Sequence, residues 1–196
     1  MTRLAANFRR FVDSRRAVAA VEFAIVMPVL LLLFLSTFDV GNAIAVYTKV
    51  RAATFSLAAI TNQYGTGNSA ISPATMGAIT GATSSILAPY PSLPTIVVVS
   101  QIVATSNTNA TVSWSYSPTA GQALTQGAPF TGLPSNFAQN SCGGTYPCYA
   151  IYAQVSYTYT PTFGAFMTGP IVLSDSLYTT PRVSTCVQYN SVPSSC

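Results

Sequence analysis

Arg15-Arg16-Ala17-Val18-Ala19-Ala20-Val21-Glu22-Phe23 leads without interruption into an apolar run that ends near Phe38. Val18 to Phe38 is about 21 residues, enough to cross a bilayer core of roughly 30 Å as a helix. Glu22 is the one residue that breaks the run. At full depth a carboxylate costs roughly 2.5 to 3.5 kcal/mol on insertion scales, so its presence needs a reason. One reason is bland, an interfacial glutamate reaching back to the headgroups. The other is a cationic partner within an assembly of such helices. Pro28 also lies in the run; it removes a donor and clashes with the carbonyl of Ala24, which predicts a kink or local loosening. Because proline is common in spanning helices, it decides nothing alone.

The charges agree with a membrane segment. Only 6% of residues are charged, and five of the eight basic ones, Arg3, Arg9, Arg10, Arg15 and Arg16, precede the run. Beyond Ala17, Lys49, Arg51 and Arg182 balance Glu22, Asp39 and Asp175. A nucleic-acid binder needs a basic face on its folded part, and this chain has none there, so no nucleic-acid partner is expected. The arginines instead follow the positive-inside rule: they hold the N-terminus in the cytoplasm and put everything after Asp39 across the membrane.

After Asp39 the pattern becomes amphipathic. Ala43, Val46, Val50, Ala53, Leu57 and Ile60 recur at alternating spacings of three and four, one helical stripe. Gly41 is the one residue before Asn62 that opposes a helix, at a cost of about 1 kcal/mol relative to alanine. The expected organisation is a basic cytoplasmic leader (1–17), one long helix (18–64) and an exported α+β domain (65–196). The helix spans the membrane over 18–38 and is amphipathic over 42–63. In the domain, Ser72-Pro73 starts a second helix reaching Leu87, ended by Pro89, Pro91 and Pro94. Thr95 to Thr105 and Ala110 to Ser117 read as a hairpin. Tyr149 to Thr160 reads as a half-buried antiparallel strand and Ile171 to Thr180 as a fourth. Glycine, proline and asparagine between Pro118 and Pro147 predict a long loop.

The cysteines, Cys142, Cys148, Cys186 and Cys196, all fall in the exported part, where an oxidising compartment permits disulfides. Of three pairings, Cys142 to Cys148 and Cys186 to Cys196 is preferred because each closes a short loop. Zinc competes poorly: the spacing is not C-x-x-C, and without histidine a site would need all four thiolates. No metal or cofactor is expected. Catalysis is disfavoured too, since the exported part has one lysine, no histidine and only Asp175 as an acid, hence no paired carboxylates and no nucleophile with a base. Trp114, Tyr116, Tyr149, Tyr152, Tyr157 and Tyr159 could form a binding face, but strand aromatics are more often cross-strand packing pairs.

Arg16-Ala17-Val18-Ala19-Ala20-Val21-Glu22-Phe23-Ala24-Ile25-Val26-Met27-Pro28-Val29-Leu30 resembles the N-terminal signature of TadE/TadG-like pseudopilins of bacterial tight-adherence (Tad, or Flp) pilus systems. Phe38-Asp39-Val40-Gly41-Asn42-Ala43 and Arg51-Ala52-Ala53 extend the resemblance over about residues 15 to 60. It implies processing by prepilin peptidase, an aspartyl protease of the inner membrane, with the glutamate becoming the fifth mature residue. Here that cut falls between Ala17 and Val18, where Ala17 stands in place of the usual glycine. Cleavage would expose an amine at Val18, one helical turn from Glu22, to offset its charge. Glu22, Phe23 and Pro28 would then serve assembly and register.

The resemblance implies a minor pilin or pseudopilin in the inner membrane, later joining an extracellular type IVc pilus. Its partners would be the major Flp-type pilin, other pseudopilins, the assembly platform and membrane lipid. The alternatives are a secreted protein whose run is a signal peptide cut near Ala43, and a permanently anchored envelope binding module. The length of the run and the embedded Glu22 and Asp39 count against a signal peptide.

Overall fold

The computed structural model describes residues 15–91, 95–164 and 169–193. Its elements in chain order are α1 (Arg15–Thr61), a short 3-10 turn (Gly67–Ser69), α2 (Pro73–Leu87), β1 (Thr95–Ala104), β2 (Ala110–Tyr116), α3 (Phe137–Cys142), β3 (Cys148–Tyr159) and β4 (Ile171–Thr179). A long apolar helix, a second helix and a four-stranded antiparallel sheet make this an α+β chain. Contacts divide it into two units, Met1–Ala43 with Pro161–Gly169, and Ile44–Thr160 with Pro170–Cys196.

Helix α1 already includes Arg15, three residues before the expected Val18, and its helical assignment runs unbroken through Pro28. The missing proline donor removes one bond, which the neighbouring turns tolerate. At the far end Asn62 N–H still donates to Ala58 O at 3.0 Å, after which Gln63 and Tyr64 bond to carbonyls three residues back. That tightening ends the helix before Gln63. Val46, Val50, Ala53 and Leu57 are buried as the stripe requires, but Ile60 is 36% exposed and Thr61 is buried in its place. Thr54 and Thr61 are buried as well because their hydroxyls donate to Val50 O and Leu57 O one turn back, which hides their polarity inside the helix. Helix α2 starts as its sequence predicts, with Ser72 Oγ accepting from Thr75 N at 3.1 Å and Pro73 in the first turn.

The sheet runs β2-β1-β3-β4, every neighbour antiparallel. On one face the ladder aligns Val97 with Val155, Val99 with Ala153 and Gln101 with Ile151. All six side chains are buried. The other face differs from expectation. Strand β3 alternates between buried and half-buried from Ala153 onward, but Ala150, Ile151 and Tyr152 are buried in succession. The second face is closed there by a separate core of Ile102, Ala104, Ala110, Val112, Cys148, Ala150 and Tyr152, against which Leu124, Phe130, Leu133 and Phe137 pack.

The stretch expected as a long loop is thus a lid over half the sheet, and it contains α3. Its segment Gly127–Phe130 also bonds along β2: Gly127 N–H donates to Val112 O, Val112 N–H to Ala128 O and Phe130 N–H to Ala110 O, at 2.8 to 3.0 Å. Gly132 is required where lid and sheet meet, since a Cβ there would stand 2.9 Å from Tyr178 Oη and 3.0 Å from the Phe130 ring. Cys142 and Cys148 form a disulfide joining the end of α3 to the start of β3. Cys186 is disulfide-bonded too; Cys196, its expected partner, lies outside the described residues.

Candidate functional site

The first half of α1 is apolar and almost wholly uncovered. Every described side chain from Val18 to Phe34 is exposed, among them Val21 at 59%, Phe23 at 65%, Ile25 at 69% and Phe34 at 72%. A soluble helix buries an apolar stripe and turns polar residues outward. This one has no polar side to turn: among the described residues one helix is long and apolar enough to cross a membrane, and it lies near the N-terminus. Ser36 and Thr37, near the end of the run, donate to Leu32 O and Leu33 O at 2.8 Å, so their hydroxyls are satisfied within the helix. That makes them inexpensive in an apolar medium.

The residues expected to matter share this helix. Ala17 and Val18 lie in its first turn, Glu22 one turn on, and Pro28 near the middle of the apolar run. Val18, Glu22, Phe23 and Pro28 are exposed. Val18 and Glu22 are four residues apart and so fall on the same side of the helix. The bond between Ala17 and Val18 is helical, and cutting it would require that turn to open.

Asp39 marks the end of the run and is the residue sequence reading undervalued. It is 7% exposed, and its carboxylate accepts three backbone N–H bonds from the turn after β3. Thr162 N donates to Oδ1 at 3.0 Å; Phe163 N and Gly164 N donate to Oδ2 at 3.0 and 2.6 Å. Successive N–H groups converging on an anion form a concave nest that the turn could not otherwise satisfy. Above it the rings of Phe38 and Phe163 meet edge to face, centroids 5.8 Å apart. An acid directly after an apolar run was the available signal, but its partners lie more than 120 residues away.

Most of these aromatics pack within the fold. Trp114 is 3% exposed, meets the Tyr189 ring at a tilt and donates its indole N–H to Val187 O at 2.8 Å. Tyr157 meets Tyr90, and Tyr152, Tyr178 and Phe130 form a three-ring cluster. Burial, with Tyr152 beside it, pushes the Tyr178 hydroxyl up to about 12. An open cleft of about 480 Å³ beside the Cys142–Cys148 disulfide is lined by Tyr149, Arg182, Ser184 and Thr185, among others. It offers one cation and several hydroxyls, without an acid and base in reach of each other. Among the described residues no group of three or more His, Cys, Asp or Glu could hold a metal ion.

Residues 17–58 match the family model described as TadE-like protein. The segment carrying Glu22, Pro28, Asp39 and the buried stripe is therefore TadE-like. No curated protein and no solved structure matches the chain significantly.

Proposed function

We propose that this chain is a minor pilin or pseudopilin of a tight-adherence pilus, inserted in the inner membrane with its N-terminus in the cytoplasm and processed by prepilin peptidase between Ala17 and Val18. The observation that carries the reading is a TadE-like helix whose first half is apolar on all sides and holds one carboxylate, Glu22. Such a helix is insoluble alone. It has two environments available, lipid and other helices like itself, and passage from the first to the second is what assembly of a pilus demands.

Glu22 gives that passage its register. An apolar helix surface slides on another at little cost, whereas an unpaired carboxylate in lipid does not. Cleavage before Val18 creates an α-amino group one turn from Glu22, on the same subunit or a neighbour, and the pair offsets the charge. The exported domain serves in contacts with the major pilin, other pseudopilins and the assembly platform, and no catalytic role is assigned to it.

N-terminal sequencing of the protein extracted from membranes tests the reading. Val18 as first residue is the expected outcome. Ile44 would instead indicate a signal peptide removed after Ala43, and Met1 or Thr2 a permanent anchor; either result overturns the processing step.

A further inference from the structure

We propose that the turn after β3, residues 161–164, is a lipid-contacting element that rests at the boundary between headgroups and hydrocarbon where α1 leaves the bilayer. The proposal rests on reading α1 as membrane-spanning. At 1.5 Å per residue, Val18 to Phe38 extends about 30 Å, the thickness of the hydrocarbon core, so Phe38 stands at its edge. Asp39 follows immediately and ties the turn to that level through the amides of Thr162, Phe163 and Gly164.

The tie does two things at once. It satisfies three backbone donors that lipid could not, which is the condition for placing irregular backbone near hydrocarbon. It also holds the Phe163 ring against Phe38, with Phe163 still 48% and Phe38 52% exposed. Two half-exposed phenylalanines side by side are costly in water and favourable at a membrane boundary. The sequence from 161 to 170 has no charged side chain that would oppose contact with lipid. The occupant is therefore the bilayer that α1 already crosses, because the exposed pair continues the apolar surface of the helix. Two chain segments far apart in sequence would enter the same leaflet together and set the depth at which the helix emerges.

The test uses the full chain in phosphatidylcholine–phosphatidylglycerol vesicles, with the variant Phe163→Trp read by fluorescence. Trp114 is buried and supplies a constant background. Phosphatidylcholine brominated near the glycerol end of its chains should remove most of the added indole emission, while aqueous iodide should remove little. Quenching by iodide and none by brominated lipid overturns the proposal. Leu31→Trp, in the middle of the apolar run, reports on the spanning reading separately: it should be quenched by lipid brominated deep in the chains. If it is not, the membrane-spanning helix and this inference fall together; if it is, and the Phe163→Trp indole is not, only this inference falls. Adding Asp39→Ala to Phe163→Trp should release the indole to iodide, and unchanged lipid quenching would overturn the role given to the carboxylate.

Discussion

Glu22 and Asp39 show how differently two acids in one helix can behave. Asp39 is buried and already satisfied within its own chain by at least three backbone donors. Glu22 is exposed on an apolar helix, and in the function proposed above its partner is supplied by another chain or a new terminus. Glu22→Ala should therefore leave membrane insertion intact, or ease it by a few kcal/mol at most, while abolishing filament assembly. Membrane fractionation and electron microscopy of the same cells check both halves; normal filaments would contradict the register role. Tyr178 offers a second residue-level expectation. Its folded pKa is raised to about 12 from 10.0, so the unfolded chain loses that proton first as pH rises. The stability linked to it is whole below pH 10 and declines between about 10 and 12. Denaturation midpoints at pH 9 and above pH 11, with tyrosinate absorbance followed in parallel, measure that decline.

At the scale of elements, α1 is one helix made from two kinds of sequence. Its apolar half is legible from composition alone, and its amphipathic half from the spacing of Val46, Val50, Ala53 and Leu57. The stripe misleads at Ile60, because a count of apolar residues overlooks threonines that bond to their own helix and so pass for apolar ones. Gly41 belongs to this scale. A Cβ at that position would meet nothing within 4 Å, so packing within the chain does not demand glycine there. Gly41→Ala should strengthen the helix by about 1 kcal/mol. If a neighbouring helix approaches closely at that point in the filament, the same change obstructs it. The expected result is an unchanged or slightly raised melting temperature with a reduced yield of filaments, read by circular dichroism and a shear assay.

At the scale of the whole molecule, the fold of the second unit is closed by its C-terminal segment. Val187 is fully buried: Gln101 Oε1 accepts from its N–H at 2.6 Å and Trp114 donates to its carbonyl. Gln188 continues the seam, donating its N–H to Gly65 O and accepting from Ile71 N. Trp114→Phe keeps the ring but strands a buried carbonyl, at an expected cost of about 1–3 kcal/mol. A denaturant titration would show it, and earlier proteolytic loss of the tail would show where it acts. The apolar helix, its amphipathic continuation, the capped second helix and the four strands are all legible in the amino-acid order. These follow from periodicity, capping and β-branched composition, which act over a few neighbouring residues. Three features emerge from the folded chain instead: residues 118–142 close half a sheet face, Gln101 and Trp114 hold the tail, and Asp39 holds the turn at Thr162 to Gly164. Each of those depends on polar backbone groups finding partners that are distant in the chain, and no local pattern announces which side chain will satisfy them.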